Sequence, residues 1–288
     1  MDDVNSAPDL PRLPSRPEDS HKGTFGTVLV VGGCETMPAA PALCAAAALR
    51  GGAGLVKIAA ERAVLPTAIG IEPGATGVIL EGVAERDLAA IDAADLDRKA
   101  VLAVGPGLGQ QPHRAAALRT LIEALLDGPR AVVLDADGLN HFARSGRMRM
   151  GEAPLVLTPH PGEFGRLAEG LGIHHDPVDP QQRPAAAAAL AQLCRAVVVL
   201  KGRRTVVADG QRTHVNPTGN PALATAGTGD VLTGLIAAFL AQGMAPFDAA
   251  VLATYAHGRA ADDHAATLGP RGLTALDLAH RLPATLHA

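Results

Sequence analysis

An α/β fold built on a mainly parallel sheet is predicted by three features of this chain. Short apolar runs alternate with helix-length, Ala- and Leu-rich segments from about residue 21 onward. The runs are continuous rather than alternating, as in strands covered on both faces by crossover helices. Almost every Gly-rich or charged motif follows directly after such a run, and in parallel sheets ligands bind beyond the carboxyl ends of the strands.

The elements follow in order. Thr27–Val31 is a strand closed by Gly32-Gly33, and Pro41–Arg50 is a helix stopped at Gly51-Gly52. Leu55–Ala59 and Val101–Val104 are strands, the second ending in Gly105-Pro106-Gly107-Leu108-Gly109. A helix over Ala115–Leu126 leads to a strand over Ala131–Leu134, which ends in Asp135-Ala136-Asp137. Leu155–Leu157 is a strand ending in Thr158-Pro159-His160. Pro184 suits the first position of a helix running to about Cys194. Ala196–Leu200 is a strand ending in Lys201-Gly202. Asp209-Gly210 suits a tight hairpin turn between Val206–Ala208 and Thr213–Val215. Asp230–Gln242 is apolar on nearly every face, so this helix should be buried, and Phe247–Asp263 is a further helix. Residues 1–20 are Pro-rich and read as a flexible N-terminal tail, leaving 21–288 as one domain.

Composition narrows the function. Apolar residues make up 48% of the chain, enough for a sizeable core, but aromatics make up only 2% and there is no Trp. The core must therefore be aliphatic. A net charge of -4 without a basic patch, together with so few stacking rings, argues against nucleic acid as a partner. Cys34, Cys44 and Cys194 form neither a disulfide framework nor a zinc pattern, and read as small buried apolar side chains in a reducing cytoplasm. No signal peptide and no membrane span are expected, because no sufficiently long apolar run occurs.

The most informative segment runs from Gly219-Asn220-Pro221 through Ala226-Gly227-Thr228-Gly229-Asp230-Val231-Leu232, where Gly and Thr precede the apolar helix. Free amides at a helix start bind anions, and glycine lets a phosphate approach the backbone. Asp230 is the candidate reaction centre; its plainer role is to cap the helix. Lys201-Gly202-Arg203-Arg204-Thr205 offers cations, a hydroxyl and a glycine amide to a phosphate or ribose, though a solvated turn has the same composition. Two prolines stiffen the loop around His160, which could hydrogen-bond a substrate while also marking a helix start with Glu163. Gly105–Gly109 lacks the spacing of a dinucleotide fingerprint. Asp135 and Asp137, with Asn140, are acids that could hold Mg2+ through water or cap the next helix.

Further motifs join these in sequence: His21-Lys22-Gly23-Thr24-Phe25-Gly26, Val30-Val31-Gly32-Gly33 and Gly51-Gly52-Ala53-Gly54-Leu55-Val56 precede Gly105–Gly109, Asp135–Asn140, Thr158–Glu163, Lys201-Gly202 and Gly227–Asp230. In that combination the chain resembles the ADP/ATP-dependent NAD(P)H-hydrate dehydratase family, in stand-alone form, over about residues 20–285. The resemblance implies a ribokinase-like three-layer sandwich with a mainly parallel central sheet. It implies nicotinamide nucleotide repair: the ring hydroxyl of the S epimer of hydrated NADH or NADPH is phosphorylated, and phosphate then leaves. ADP is favoured over ATP as co-substrate, with Mg2+, although no metal ligand is assigned. By the family's motifs, Asp230 would be the base, and the amides of Gly227, Thr228 and Gly229 would stabilise the transferring group. Lys201, Gly202, Arg203, Arg204, Thr205 and Gly229 would hold the nucleotide, while Ala40, Gly107, His160 and Asp230 would face the hydrated dinucleotide. A homo-oligomer and a separate epimerase are the implied partners. Cys34, Ala39, Ala222 and Ala226 depart from the usual pattern of small residues in these loops. A ribokinase-like kinase for a hydroxymethyl-pyrimidine, a hydroxyethyl-thiazole or a sugar shares the Gly-Thr-Gly-Asp turn, but the Thr158–Glu163 and Gly105–Gly109 segments favour the dehydratase. A non-catalytic nucleotide-binding module is the other alternative.

Overall fold

A computed structural model describes residues 10–97, 99–147 and 151–286. The first half of the chain runs β1 (Thr27–Val31), α1 (Ala40–Arg50), β2 (Leu55–Glu61), α2 (Leu65–Ile71), β3 (Thr76–Leu80), α3 (Ala84–Asp92), β4 (Val101–Val104) and α4 (Ala115–Asp127). It continues with β5 (Val132–Leu134), α5 (Ala136–Ser145), β6 (Leu155–Leu157), α6 (Pro161–Leu171), α7 (Arg183–Cys194) and β7 (Val197–Leu200). The hairpin β8 (Val206–Ala208) and β9 (Thr213–Val215) precedes three helices, α8 (Thr228–Ala241), α9 (Pro246–Leu268) and α10 (Ala275–Thr285).

The strands form one sheet in the order β3-β2-β1-β4-β5-β6-β7-β8-β9. Pairing is parallel from β3 through β7 and antiparallel for the final hairpin. Side chains of a strand alternate between faces, and here both faces are apolar. Val28 and Val30 join a core shared with α1, α8, α9 and α10, whereas Leu29 and Val31 join a second core under α4, α5, α6 and α7. The result is the three-layer sandwich expected.

With few aromatics available, the layers are held by close aliphatic packing. Helix α8 is buried from Val231 to Ala241 and crosses α1, whose Ala45–Ala48 run is wholly buried. A Cβ at Gly234 would collide with the carbonyl oxygen of Cys44, so the two backbones touch there. Gly234→Ala should therefore lower stability by about 1–3 kcal/mol through overpacking, read as a lower midpoint in a urea melt; an unchanged midpoint would disprove that contact.

Some elements were not anticipated. The span of α2, β3 and α3 gave no clear pattern because β3 is an edge strand with Thr76, Gly77 and Ile79 exposed. Helix α9 also extends five residues past Asp263, since Asp262 accepts from Gly219 N and Asn220 Nδ2 and Asp263 pairs with Arg259 one turn back, so neither ends it. Of the expected tail, residues 1–9 lie outside the described residues. From Leu10 the chain is tethered: Leu10 and Leu13 pack against the core, and Arg16 stacks on Phe25 and donates to the Gly52 carbonyl at 3.0 Å. No helix among the described residues is long and apolar enough to cross a membrane.

Candidate active site

Backbone hydrogen bonds align the strand ends into one rim. Gly105 N–H donates to Val31 O, Asp135 N–H to Val104 O, Thr158 N–H to Leu134 O and Lys201 N–H to Pro159 O. The motifs that follow β1, β4, β5, β6 and β7 are thus neighbours in space, although they are spread over 170 positions from Gly32 to Lys201.

The helix α8 approaches this rim end-on. Gly227 is its N-cap in the left-handed region at φ 90°, and Thr228 and Gly229 open the first turn. Asp230 is the third residue of the helix, and its half-buried carboxylate has no hydrogen-bond partner among the described residues. The capping role is therefore not the one it performs. Burial, and next the nearby carboxylate of Asp135, push its pKa up to about 8, with Lys201 opposing. On α9, His257 is buried and its Nε2 lies 2.8 Å from the Thr228 carbonyl. Because its partner is an acceptor, Nε2 carries the proton; burial depresses this imidazole to about 4, so it is neutral at ordinary pH.

Behind Asp230 sits a buried charge cluster. Lys201 Nζ is 2.6 Å from Asp135 Oδ1 and 3.8 Å from Glu163 Oε2. Thr233 Oγ1, one turn along α8, donates to the other Asp135 oxygen at 2.7 Å. Burial opposes the charge on Lys201, yet Asp135 and Glu163 together hold its pKa above the ordinary lysine value. Burial raises Glu163, with Lys201 opposing. A Cβ at Gly229 would lie 3.3 Å from Lys201 Nζ, so the ammonium abuts the first turn of α8. The Thr228 N–H already donates to Thr225 O at 3.4 Å, but an ammonium beside the remaining helix-start amides is a site for phosphate oxygens.

A cavity of about 660 Å³ opens beside this turn. Lys201, Gly202, Arg203, Arg204, Thr205 and Gly229 all line it, as does Thr228. The opposite wall includes Asn216, Thr218, Asn220, Thr254 and His257. Asn216, Thr218, Thr254 and His257 carry no motif in the sequence and meet only when the β8–β9 hairpin and α9 pack together, whereas Asn220 belongs to the Gly-rich segment before α8. Asn216 is fixed by donating to Thr218 O and Thr254 O, each at 3.1 Å.

Ala40, Gly107, His160 and Asp230 do not line that cavity; they lie further along the rim. Gly107 is left-handed at φ 64°, and a Cβ there would be 2.8 Å from that of Ala40, so the Gly105–Gly109 turn rests on the start of α1. The same start lies beside Gly227 through Leu43. Ala39 is helical at φ -84°, a conformation that needs no glycine. His160 caps α6: its Nδ1 accepts from Gly162 N at 3.0 Å and Glu163 N at 3.4 Å, while Nε2 lies 3.4 Å from Glu163 Oε1. Its ring is half exposed, but both ring nitrogens are engaged within this cap.

The carboxylates considered for Mg2+ are both committed. Asp135 holds Lys201 and Thr233, while Asp137 accepts from Gly109 N and Gln110 Nε2, each at 2.8 Å, and from Asn140 Nδ2 at 3.3 Å. No cluster of three His, Cys, Asp or Glu with metal-binding geometry occurs among the described residues. Neither Asp135 nor Asp137 is therefore left free to ligate a metal.

Comparison with known proteins identifies the family. The family model described as NAD(P)H-hydrate dehydratase matches residues 28–284. A bifunctional NAD(P)H-hydrate repair enzyme of Moorella thermoacetica is 44% identical over 96% of this chain and 52% of its own length. The ADP-dependent (S)-NAD(P)H-hydrate dehydratase of Neisseria meningitidis serogroup B is 40% identical over 86% of this chain and 80% of its own. The chain spans about half the length of the bifunctional relatives it matches. Among solved structures, the ADP/ATP-dependent NAD(P)H-hydrate dehydratase of Bacillus subtilis, co-crystallised with ATP/Mg2+, superimposes with a TM-score of 0.78 at 32% identity, covering 97% of this chain and 98% of that one. A ribokinase-like superfamily protein of Enterococcus faecalis V583 gives a TM-score of 0.80 at 26% identity, over 95% and 91% of the two chains. A hydroxyethylthiazole kinase of Pyrococcus horikoshii, at 18% identity and a TM-score of 0.61, shares the fold alone. With the fold ribokinase-like and the family model spanning nearly all of it, the chain belongs to the NAD(P)H-hydrate dehydratase family.

Proposed function

We propose that this protein is an ADP-dependent dehydratase that returns the S epimer of hydrated NADH or NADPH to NAD(P)H, releasing phosphate and AMP. The observation that carries the reading is the first turn of α8. Thr228 and Gly229 line the nucleotide-sized cavity, while Asp230, the next residue, is not part of its lining and has its carboxylate beside Gly227, which itself abuts Leu43 of α1. A phosphoryl donor and a hydroxyl acceptor can therefore meet at one turn.

In this reading Lys201–Thr205 and Gly229 hold ADP, and Ala40, Gly107 and His160 border the hydrated dinucleotide. Asp230 takes the proton of the ring hydroxyl as its oxygen attacks the β-phosphorus of ADP. AMP departs, while the amides of Gly227, Thr228 and Gly229 bear the charge on the transferring group. The ring carbon then loses phosphate as its neighbour gives up a proton, which restores the double bond. Mg2+ enters as the counter-ion of the nucleotide phosphates. An epimerase supplying the S form, and a homo-oligomeric state, belong to the same proposal.

The test is incubation with hydrated NADH, Mg2+ and either ADP or ATP, following absorbance of reduced nicotinamide. Recovery of absorbance with release of phosphate, faster with ADP, is expected. Accumulation of a stable phosphorylated product would instead mark a kinase. The pH dependence is a second check. A base must be deprotonated, so kcat/KM should fall as pH drops below about 8, the value to which burial and Asp135 push Asp230. Asp135→Asn removes one of the raising charges and should move that limb to lower pH. A limb left in place would disconnect Asp230 from the profile.

A further inference from the structure

We propose that Arg183 is a positioning residue for the nucleotide loop Lys201–Thr205, acting on the loop's backbone from behind. This rests on the reading above that the loop holds ADP. Arg183 opens α7 and is only 6% exposed, yet it has no carboxylate partner among the described residues. A buried guanidinium is costly to leave without a counter-charge. Here its acceptors are carbonyl oxygens: Pro177 at 2.7 Å, Leu200 at 2.8 Å and Lys201 at 3.2 Å. Its Nε is buried with no partner.

Two of those carbonyls are the last of β7 and the first of the loop. Peptide units are planar and trans, so a carbonyl turned towards the guanidinium turns the next N–H away from it. The Leu200 carbonyl bound to Arg183 thus accompanies a Lys201 N–H bound to Pro159 O, and the Lys201 carbonyl sets the direction of the Gly202 amide. Gly202 itself lies against the guanidinium. It has φ 138°, and a Cβ there would be 3.2 Å from both Arg183 terminal nitrogens. Since Gly202 lines the cavity, a positive charge with no acidic partner stands one residue behind the cavity wall. Its field favours a polyanion in that cavity.

The experiment compares wild type with Arg183→Lys and Arg183→Gln. ADP affinity is measured by calorimetry, KM for ADP and for hydrated NADH by absorbance, and folding by thermal melt. Lysine keeps the charge but cannot hold three carbonyls. Arg183→Lys should weaken ADP binding and raise its KM by about tenfold, with KM for hydrated NADH within about twofold; Arg183→Gln should weaken ADP further. Unchanged ADP affinity in both variants overturns the proposal, as does an equal rise of the two KM values. If Arg183→Gln does not fold, Gly202→Ala, which pushes on the same guanidinium, should raise the ADP Kd in its place. If wild type binds ADP but does not act on hydrated NADH, the proposed activity fails while the calorimetry still decides the role of Arg183.

Discussion

Asp230→Asn should lower kcat about 10²- to 10⁴-fold, the contribution of a positioned general base, while ADP still binds within a few-fold of wild type. The amide is isosteric, and Asp230 is not among the residues that line the cavity proposed for the nucleotide, so only proton removal should be lost. Calorimetry with ADP and the nicotinamide absorbance assay separate the two effects; near-normal turnover in the variant would end the mechanism. Stability should move the other way. A carboxyl with a folded pKa near 8 binds its proton more tightly folded than unfolded. Its favourable contribution is present at acid pH and is lost as pH rises to about 8, above which a buried charge must be carried. Asp230→Asn should therefore be more stable than wild type at pH 9 by about 1 kcal/mol, as expected where function keeps a strained group in place. A variant less stable than wild type at that pH would contradict the burial of the charge.

Lys201→Met should cost about 3–5 kcal/mol of stability, because removing one partner strands the others. Asp135 is 1% exposed and Glu163 6%, so neither carboxylate can recover its hydration. Loss of the opposing cation should also raise Asp230 further and move the acid limb of kcat/KM upward. The double variant Asp135→Asn/Lys201→Met keeps an acceptor for Thr233 and removes one of the two stranded charges, leaving Glu163. It should regain at least half of the lost stability without regaining ADP affinity. Urea melts of the single and double variants measure both terms, and a loss below about 1 kcal/mol for the single change would show that the pair does not hold the site together.

The sequence makes the layers and the principal turns visible, because each rests on local signals. Continuous apolar runs mark buried strands, and the glycines and prolines after them mark the rim. Strand order is different: β1 lies between β2 and β4 through pairings that no local pattern records. The same limit divides the site. Asp230 and Lys201 stand in motifs, so they can be picked out one at a time. Their relation cannot, since Asp135 and Lys201 are 66 residues apart and Asp135 also reads as a simple helix cap. His257 is hidden for another reason. It lies in the interior of a 23-residue helix, where an isolated histidine reads as one more packed side chain until the Thr228 carbonyl is seen beside it.

The burial of α8 on nearly every face bears on how such an enzyme can be inhibited or re-engineered. A helix locked between α1, α9 and the sheet cannot tilt to follow a differently shaped ligand. Its first turn is therefore a fixed reference point, and adaptation to a new donor or acceptor has to occur in the walls around it. The Arg203–Thr205 stretch and the Asn216–Asn220 segment, which border the cavity outside helices and long strands, are where altered nucleotide preference should be selected. A compound that spans the turn and mimics both ligands would meet a surface already in its final shape, and would gain affinity from that rigidity.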